Sequence, residues 1–130
     1  MVNNFGLHTL DGEWHALLPR YVFVAQQLDG RRVLEIGCGR GVGTALLHQS
    51  GVTKLTAIDH RLDLVQDART RFSGIGDVFE SMELEALDFE QESFDVVVCL
   101  DGSFNAANDN FLLEVHRVLD ADGLFVAALE

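Results

Sequence analysis

The chain has 130 residues, 48% of them hydrophobic and 23% charged, with a formal net charge of −12. That length gives one domain around one core, and no apolar run is long enough to span a bilayer. The nine Lys and Arg are scattered, so the basic patch that grips a phosphate backbone is missing; nucleic acid is not an expected substrate, and the acidity reads as solubility.

The first helical pattern covers 12–29, with Trp14, Leu17, Leu18, Tyr21, Ala25 and Leu28 at helical spacing. Pro19 is expected to kink or restart it. A strand follows at about 32–36. A glycine-rich turn then leads into a helix running to about Ser50, with Gly51 as its stop. A second strand is expected at 54–58 and a helix at 62–72, then a weak strand at 77–82. The run 94–100, apolar apart from Asp95, reads as a strand covered on both faces. A helix at 106–119 carries Phe111, Leu112, Val115, Val118 and Leu119 on one face, and Asp122-Gly123 turns into a last strand at 124–129. Alternation of this kind gives an α/β fold with a parallel sheet and right-handed crossovers. A ligand belongs at the carboxyl ends of the strands, where the strand order reverses. No secretory leader precedes the first helix. The only two cysteines, Cys38 and Cys99, have no zinc spacing and fit a reduced, cytoplasmic protein.

The most informative segment is Val33-Leu34-Glu35-Ile36-Gly37-Cys38-Gly39-Arg40-Gly41-Val42-Gly43-Thr44. A strand that ends in a glycine turn and opens a helix offers main-chain N–H groups to a ligand. A dinucleotide fingerprint requires G-x-G-x-x-G, which fails here at Val42 and Thr44. A nicotinamide-dependent oxidoreductase is therefore disfavoured. Glu35, placed before the turn, suits a ligand with a positive group and disfavours a phosphate.

Acidic-x-Gly-x-Gly-x-Gly at 35–41 resembles motif I of the class I S-adenosylmethionine-dependent methyltransferases. Further matches follow in order. Asp59 ends the second strand, where the resemblance implies bonds to the ribose hydroxyls; the competing reading is a helix N-cap. His60 then falls against the adenine, or is a plain loop histidine. Glu83-Leu84, ahead of the Phe94-Asp95-Val96-Val97 strand, is similar to the stretch that contacts adenine. Here Glu83 replaces the usual Asp and Asp88 the usual Pro; a solvated acidic loop is the alternative. Glu114 to Leu119 resembles the family helix that precedes the fifth strand, and reads as scaffold. Tyr21 covers the methionine end of the cofactor or packs in the core. The resemblance thus implies cofactor contacts from Tyr21, Glu35, Gly37, Cys38, Gly39, Gly41, Asp59, His60, Glu83, Leu84 and Cys99, with no metal. The implied fold is a Rossmann-like doubly wound sheet of order 3-2-1-4-5, with the family's sixth and seventh strands absent. Residues 1–30 form a helical lid and 31–130 the cofactor-binding core.

The implied function is methyl transfer from S-adenosylmethionine to a small-molecule or protein acceptor, leaving S-adenosylhomocysteine. No signature marks a catalytic base. Asp101 lies near the expected methyl position but also reads as a turn residue, and His8 and His15 fall in the lid. The stop after the fifth strand leaves an apolar edge, which suggests further parts of a longer chain or a homodimer through that strand. A non-catalytic relative serving cofactor binding or assembly is the alternative.

Overall fold

The computed structural model describes residues 12–101 and 107–128, with the backbone alone at 12–15. The elements are α1 (Gly12–Ala25), β1 (Arg32–Ile36), α2 (Val42–His48), β2 (Lys54–Asp59), α3 (Leu62–Arg71), β3 (Phe79–Ser81), β4 (Phe94–Cys99), α4 (Asp109–Val118) and β5 (Leu119–Ala127). The sheet order is β3-β2-β1-β4-β5, and every neighbouring pair is parallel. This is the expected Rossmann-like arrangement. The order reverses between β1 and β4, so the crevice falls at their carboxyl ends.

Alternation along each strand divides the core in two. Val33, Leu55, Ala57, Val96 and Val98 face α1, α2 and α3, where they meet Val24, Leu28, Leu47, Val65 and Ala68. Leu34, Ile36, Ile58, Val97 and Cys99 face α4, where they meet Phe111, Val115 and Val118. At the end of the sheet away from the crevice, Arg32 clamps β1 to β4. Its Nη2 lies 2.9 Å from Asp95 Oδ1, and its backbone N donates to Asp95 Oδ2 at 2.8 Å. The guanidinium holds the Asp95 carboxyl below its ordinary value.

Several boundaries differ from the sequence reading, among them the start of α4, which falls at Asp109 instead of 106. The first helix, α1, contains Pro19 as expected and stops at Ala25 instead of 29. The weak third strand shortens to Phe79–Ser81. The last strand starts at Leu119, not 124: Phe94 pairs with Leu119 and Val96 with Leu124, so the intervening residues bulge out of the ladder. Gly123 allows this bulge, because a Cβ there would stand 2.8 Å from Leu119 Cδ2 and 2.9 Å from the Asp120 oxygen.

One close approach fixes α1 on α2. A Cβ on Gly43 would fall inside the Tyr21 ring, and that ring cannot swing aside because its hydroxyl is bonded to the buried Glu35. Gly43→Ala is expected to cost about 1–3 kcal/mol through overpacking, read as a lower midpoint in thermal denaturation. An unchanged midpoint would mean that α1 rides loosely on α2.

Candidate functional site

The glycine turn rests on the ends of β1 and β2. The N–H groups of Gly37 and Cys38 both donate to the Ile58 oxygen, at 2.8 and 3.0 Å. The Gly39 N–H donates to Asp59 Oδ2 at 3.0 Å, and the other oxygen of that carboxylate accepts from Arg61 N at 3.0 Å. Asp59 therefore holds the apex of the turn and also shapes the entry to α3. No side chain caps α3; the N-cap position is Arg61. His60 is exposed on the rim, with Nδ1 3.6 Å from Asp59 Oδ1.

Gly39 is the open point of the turn. Its φ is +53°, and nothing lies within 4 Å of where a Cβ would stand. A ligand can therefore approach the main chain here, and a side chain would fill that space. Gly41 faces the other way: a Cβ there would stand 2.8 Å from the Phe79 ring and 3.0 Å from the Ala68 Cβ. Its place is in the packing against α3 and β3. Arg40 leans off the turn to α3, with Nε 3.1 Å from Asp67 Oδ2.

Glu35 lies beneath the turn and is fully buried. The Tyr21 hydroxyl donates to one of its oxygens, and Thr44 Oγ1 donates to the other at 2.5 Å. One carboxylate thus ties α1, β1 and α2 together. Burial raises its pKa to about 7. The bonds from Thr44 and Tyr21 pull it down, and the charges of Asp101 and Asp59 push it up. Burial and Glu35 together also raise the Tyr21 phenol well above its ordinary value. Thr44 is the partner the sequence reading missed; a hydroxyl directly after the last glycine of the turn was the available signal.

Asp101 completes the acidic floor. Its carboxylate occupies the space where a Cβ on Gly37 would be. Beside it, Arg20 Nη1 donates to the Leu100 oxygen at 2.8 Å, which holds α1 over the end of β4. Asp59 and Asp101 line this end of the sheet with carboxylates, above the buried Glu35. Such a floor attracts a cationic ligand group and repels a phosphate.

The remaining predicted residues are spread out. Cys38 and Cys99 are buried, and burial pushes the Cys38 thiol well up. The Cys99 side chain packs on the α4 side, and its carbonyl accepts from Ala128 N at 3.0 Å. Glu83 is exposed just past β3, and Leu84 is half-buried against the α4-side core. His8 and the side chain of His15 lie outside the described residues. Among the described residues no group of His, Cys, Asp or Glu is placed to hold a metal ion, and no helix is long and apolar enough to cross a membrane.

The family described as "Methyltransferase domain" matches residues 33–123, which span the glycine turn and all five strands up to the bulge in β5. The chain belongs to this methyltransferase-domain family. A phthiotriol/phenolphthiotriol dimycocerosates methyltransferase of Mycobacterium tuberculosis is 37% identical over 126 residues, covering 92% of this chain and 46% of that protein. A fatty-acid O-methyltransferase of Mycolicibacterium smegmatis is 34% identical over 101 residues, covering 76% of this chain and 37% of that protein. The chain thus spans less than half the length of these curated relatives. The fold is shared with the crystal structure of an S-adenosylmethionine-dependent methyltransferase from Mesorhizobium loti. That likeness has a TM-score of 0.76 and 24% identity, over 96% of this chain and 56% of that one. Residue 33 is the second residue of β1, so the family match holds both the turn and Asp59, while α1 with Tyr21 precedes it.

Proposed function

We propose that this methyltransferase domain binds S-adenosylmethionine in the crevice over β1, β2 and β4, and passes its methyl group to a small-molecule acceptor. The observation that carries this reading is the open face of Gly39, with its amide held by Asp59. An adenosyl group lying there meets main chain on one side and a carboxylate on the other. The Asp59 carboxylate then accepts from the ribose hydroxyls, and His60 and Glu83 border the base. Asp101 faces the ammonium end across Gly37. Glu35 works from beneath, by holding Tyr21 and Thr44 so that the turn keeps its shape. Cys38 and Gly41 shape the turn, while Leu84 and Cys99 line its surroundings through main chain and packing.

Bound in this way, the cofactor supplies a methyl group on a sulfonium whose sulfur keeps the bonding electron pair when the methyl leaves. The protein's share is to align the acceptor and exclude water. Asp101 is the exposed carboxylate of the floor, suited to take a proton from an acceptor hydroxyl or amine. The fatty-acid acceptor named for the Mycolicibacterium smegmatis relative supports a small organic acceptor, and the net charge of −12 disfavours nucleic acid. Of the lid expected at 1–30, α1 is packed into the core through Tyr21, Val24 and Leu28, and residues 1–11 lie outside the described residues. The two cysteines, both buried thiols, support a reducing, cytoplasmic setting.

The test is calorimetric titration with S-adenosylmethionine and S-adenosylhomocysteine. Micromolar binding is expected, lost in a folded Gly39→Val protein. Absence of binding at millimolar ligand would reject the reading.

A further inference from the structure

The segment between β3 and β4 has little secondary structure, yet its main chain is firmly held, and from one helix. Leu87 N donates to Glu114 Oε1 at 2.8 Å. Arg117 donates through Nη2 to the Leu87 oxygen at 2.8 Å and through Nη1 to the Phe89 oxygen at 2.6 Å. The two side chains are themselves joined, Arg117 Nε to Glu114 Oε2 at 2.7 Å. Each pulls the other's pKa toward the charged form, the carboxyl down and the guanidinium up. Further along, Glu92 N donates to the Arg117 oxygen at 2.9 Å. At the other end of α4 the N-cap Asn108, whose Oδ1 accepts from Phe111 N, donates through Nδ2 to Glu85 Oε1 at 2.9 Å.

This is more than a loop needs in order to stay on the core. Leu87 is already packed in the α4-side core, and Phe89 meets Phe94 edge-on with centroids 5.1 Å apart. The polar clasp adds direction. Two parallel guanidinium donors meet two carbonyls two residues apart, a geometry that one point charge cannot reproduce. Upstream, Met82 N donates to the Asp59 oxygen at 3.2 Å. Residues 83–86 are thus suspended between the Asp59 end of β2 and the clasp on α4.

We propose that Glu114 and Arg117 are positioning residues for base recognition: by fixing Leu87 and Phe89 they set where Glu83 and Leu84 meet the adenine. It goes beyond the sequence reading of the pair as scaffold, and it rests on the cofactor reading above. The clasp acts on the base while the glycine turn acts on the rest of the ligand, so its loss changes selectivity before it changes the fold.

The experiment compares affinities for S-adenosylhomocysteine and S-inosylhomocysteine, whose base carries a 6-oxo group in place of the amino group. The wild type is expected to prefer the adenine form, because the Glu83 carboxylate accepts from the amino group and repels the oxo group. Arg117→Ala is expected to cut that preference about tenfold, the loss of one good hydrogen-bond contact, with Arg117→Lys in between. Glu83→Gln added to Arg117→Ala should then reduce it little further. Should Arg117→Ala fail to fold, Glu114→Gln, which keeps an acceptor for Leu87 N, is measured in the same way. A lower melting temperature with the base preference intact would overturn the positioning role. A wild-type protein that binds neither compound would instead overturn the cofactor reading.

Discussion

Stability should fall as the pH rises from about 5 to about 7.5, by an amount traceable to Glu35. Its carboxyl titrates near 7 in the folded protein, against an ordinary value of 4.5. Between those values the native state holds a proton that the unfolded chain has released, and linkage then makes the slope of stability with pH negative. The contribution is fully present below the ordinary value and is lost as the pH passes through the folded one. At about 1.4 kcal/mol per pH unit the whole effect is on the order of 3 kcal/mol. Asp95 and Glu114, held low by Arg32 and Arg117, have the opposite sign. Their contribution is present above the ordinary carboxylate value and is lost only as acid drives the pH beneath it. Glu35→Gln keeps the shape and an acceptor for a hydroxyl but cannot titrate. Urea midpoints of both proteins between pH 5 and 8 isolate the effect. The wild-type curve should descend through this range while the variant's stays flat; parallel curves would show that Glu35 is charged throughout.

Asp59→Ala should weaken S-adenosylhomocysteine binding about a hundredfold while leaving a folded protein. Two losses combine. The ribose loses a charged acceptor, and the Gly39 amide loses the oxygen that holds it at 3.0 Å. Hydrogen bonds to a charged group contribute about 1.5–3 kcal/mol each, so one such bond already accounts for tenfold or more. Asp59→Asn keeps one neutral acceptor and should fall between. Circular dichroism checks the fold and calorimetry the affinity. Full affinity in a folded Asp59→Ala protein would remove Asp59 from the site and leave the Gly39 opening unexplained.

The alternation of elements and the crevice were legible in the sequence for physical reasons, while the strand order came from the family resemblance. Phe94–Cys99 is apolar apart from Asp95 because both its faces are covered, and the glycine turn announces where a strand must hand over to a helix. The start of β5 was not legible. Asp120-Ala121-Asp122-Gly123 has the composition of a turn, and only pairing with β4 makes those residues a bulge inside a strand. The direction of Glu35 was half visible: period two puts it on the same face of β1 as Val33, toward α1. What could not be read was that Tyr21 and Thr44 take both its oxygens. The clasp on α4 was hidden altogether, because the groups Arg117 holds are carbonyls, and a carbonyl has no letter in a sequence.

The division of the core into two halves gives the molecule an internal clock for its own opening. Cys38 and Cys99 lie in different halves, with the sheet between them, and neither thiol reaches solvent appreciably. Alkylation of either sulfur must wait for an opening event. Loss of α1 or the turn bares Cys38, whereas Cys99, packed in the same core as Phe111 and Val115, is bared when the opposite side opens. The ratio of the two labelling rates therefore reports, without any added probe, which side of the domain opens first.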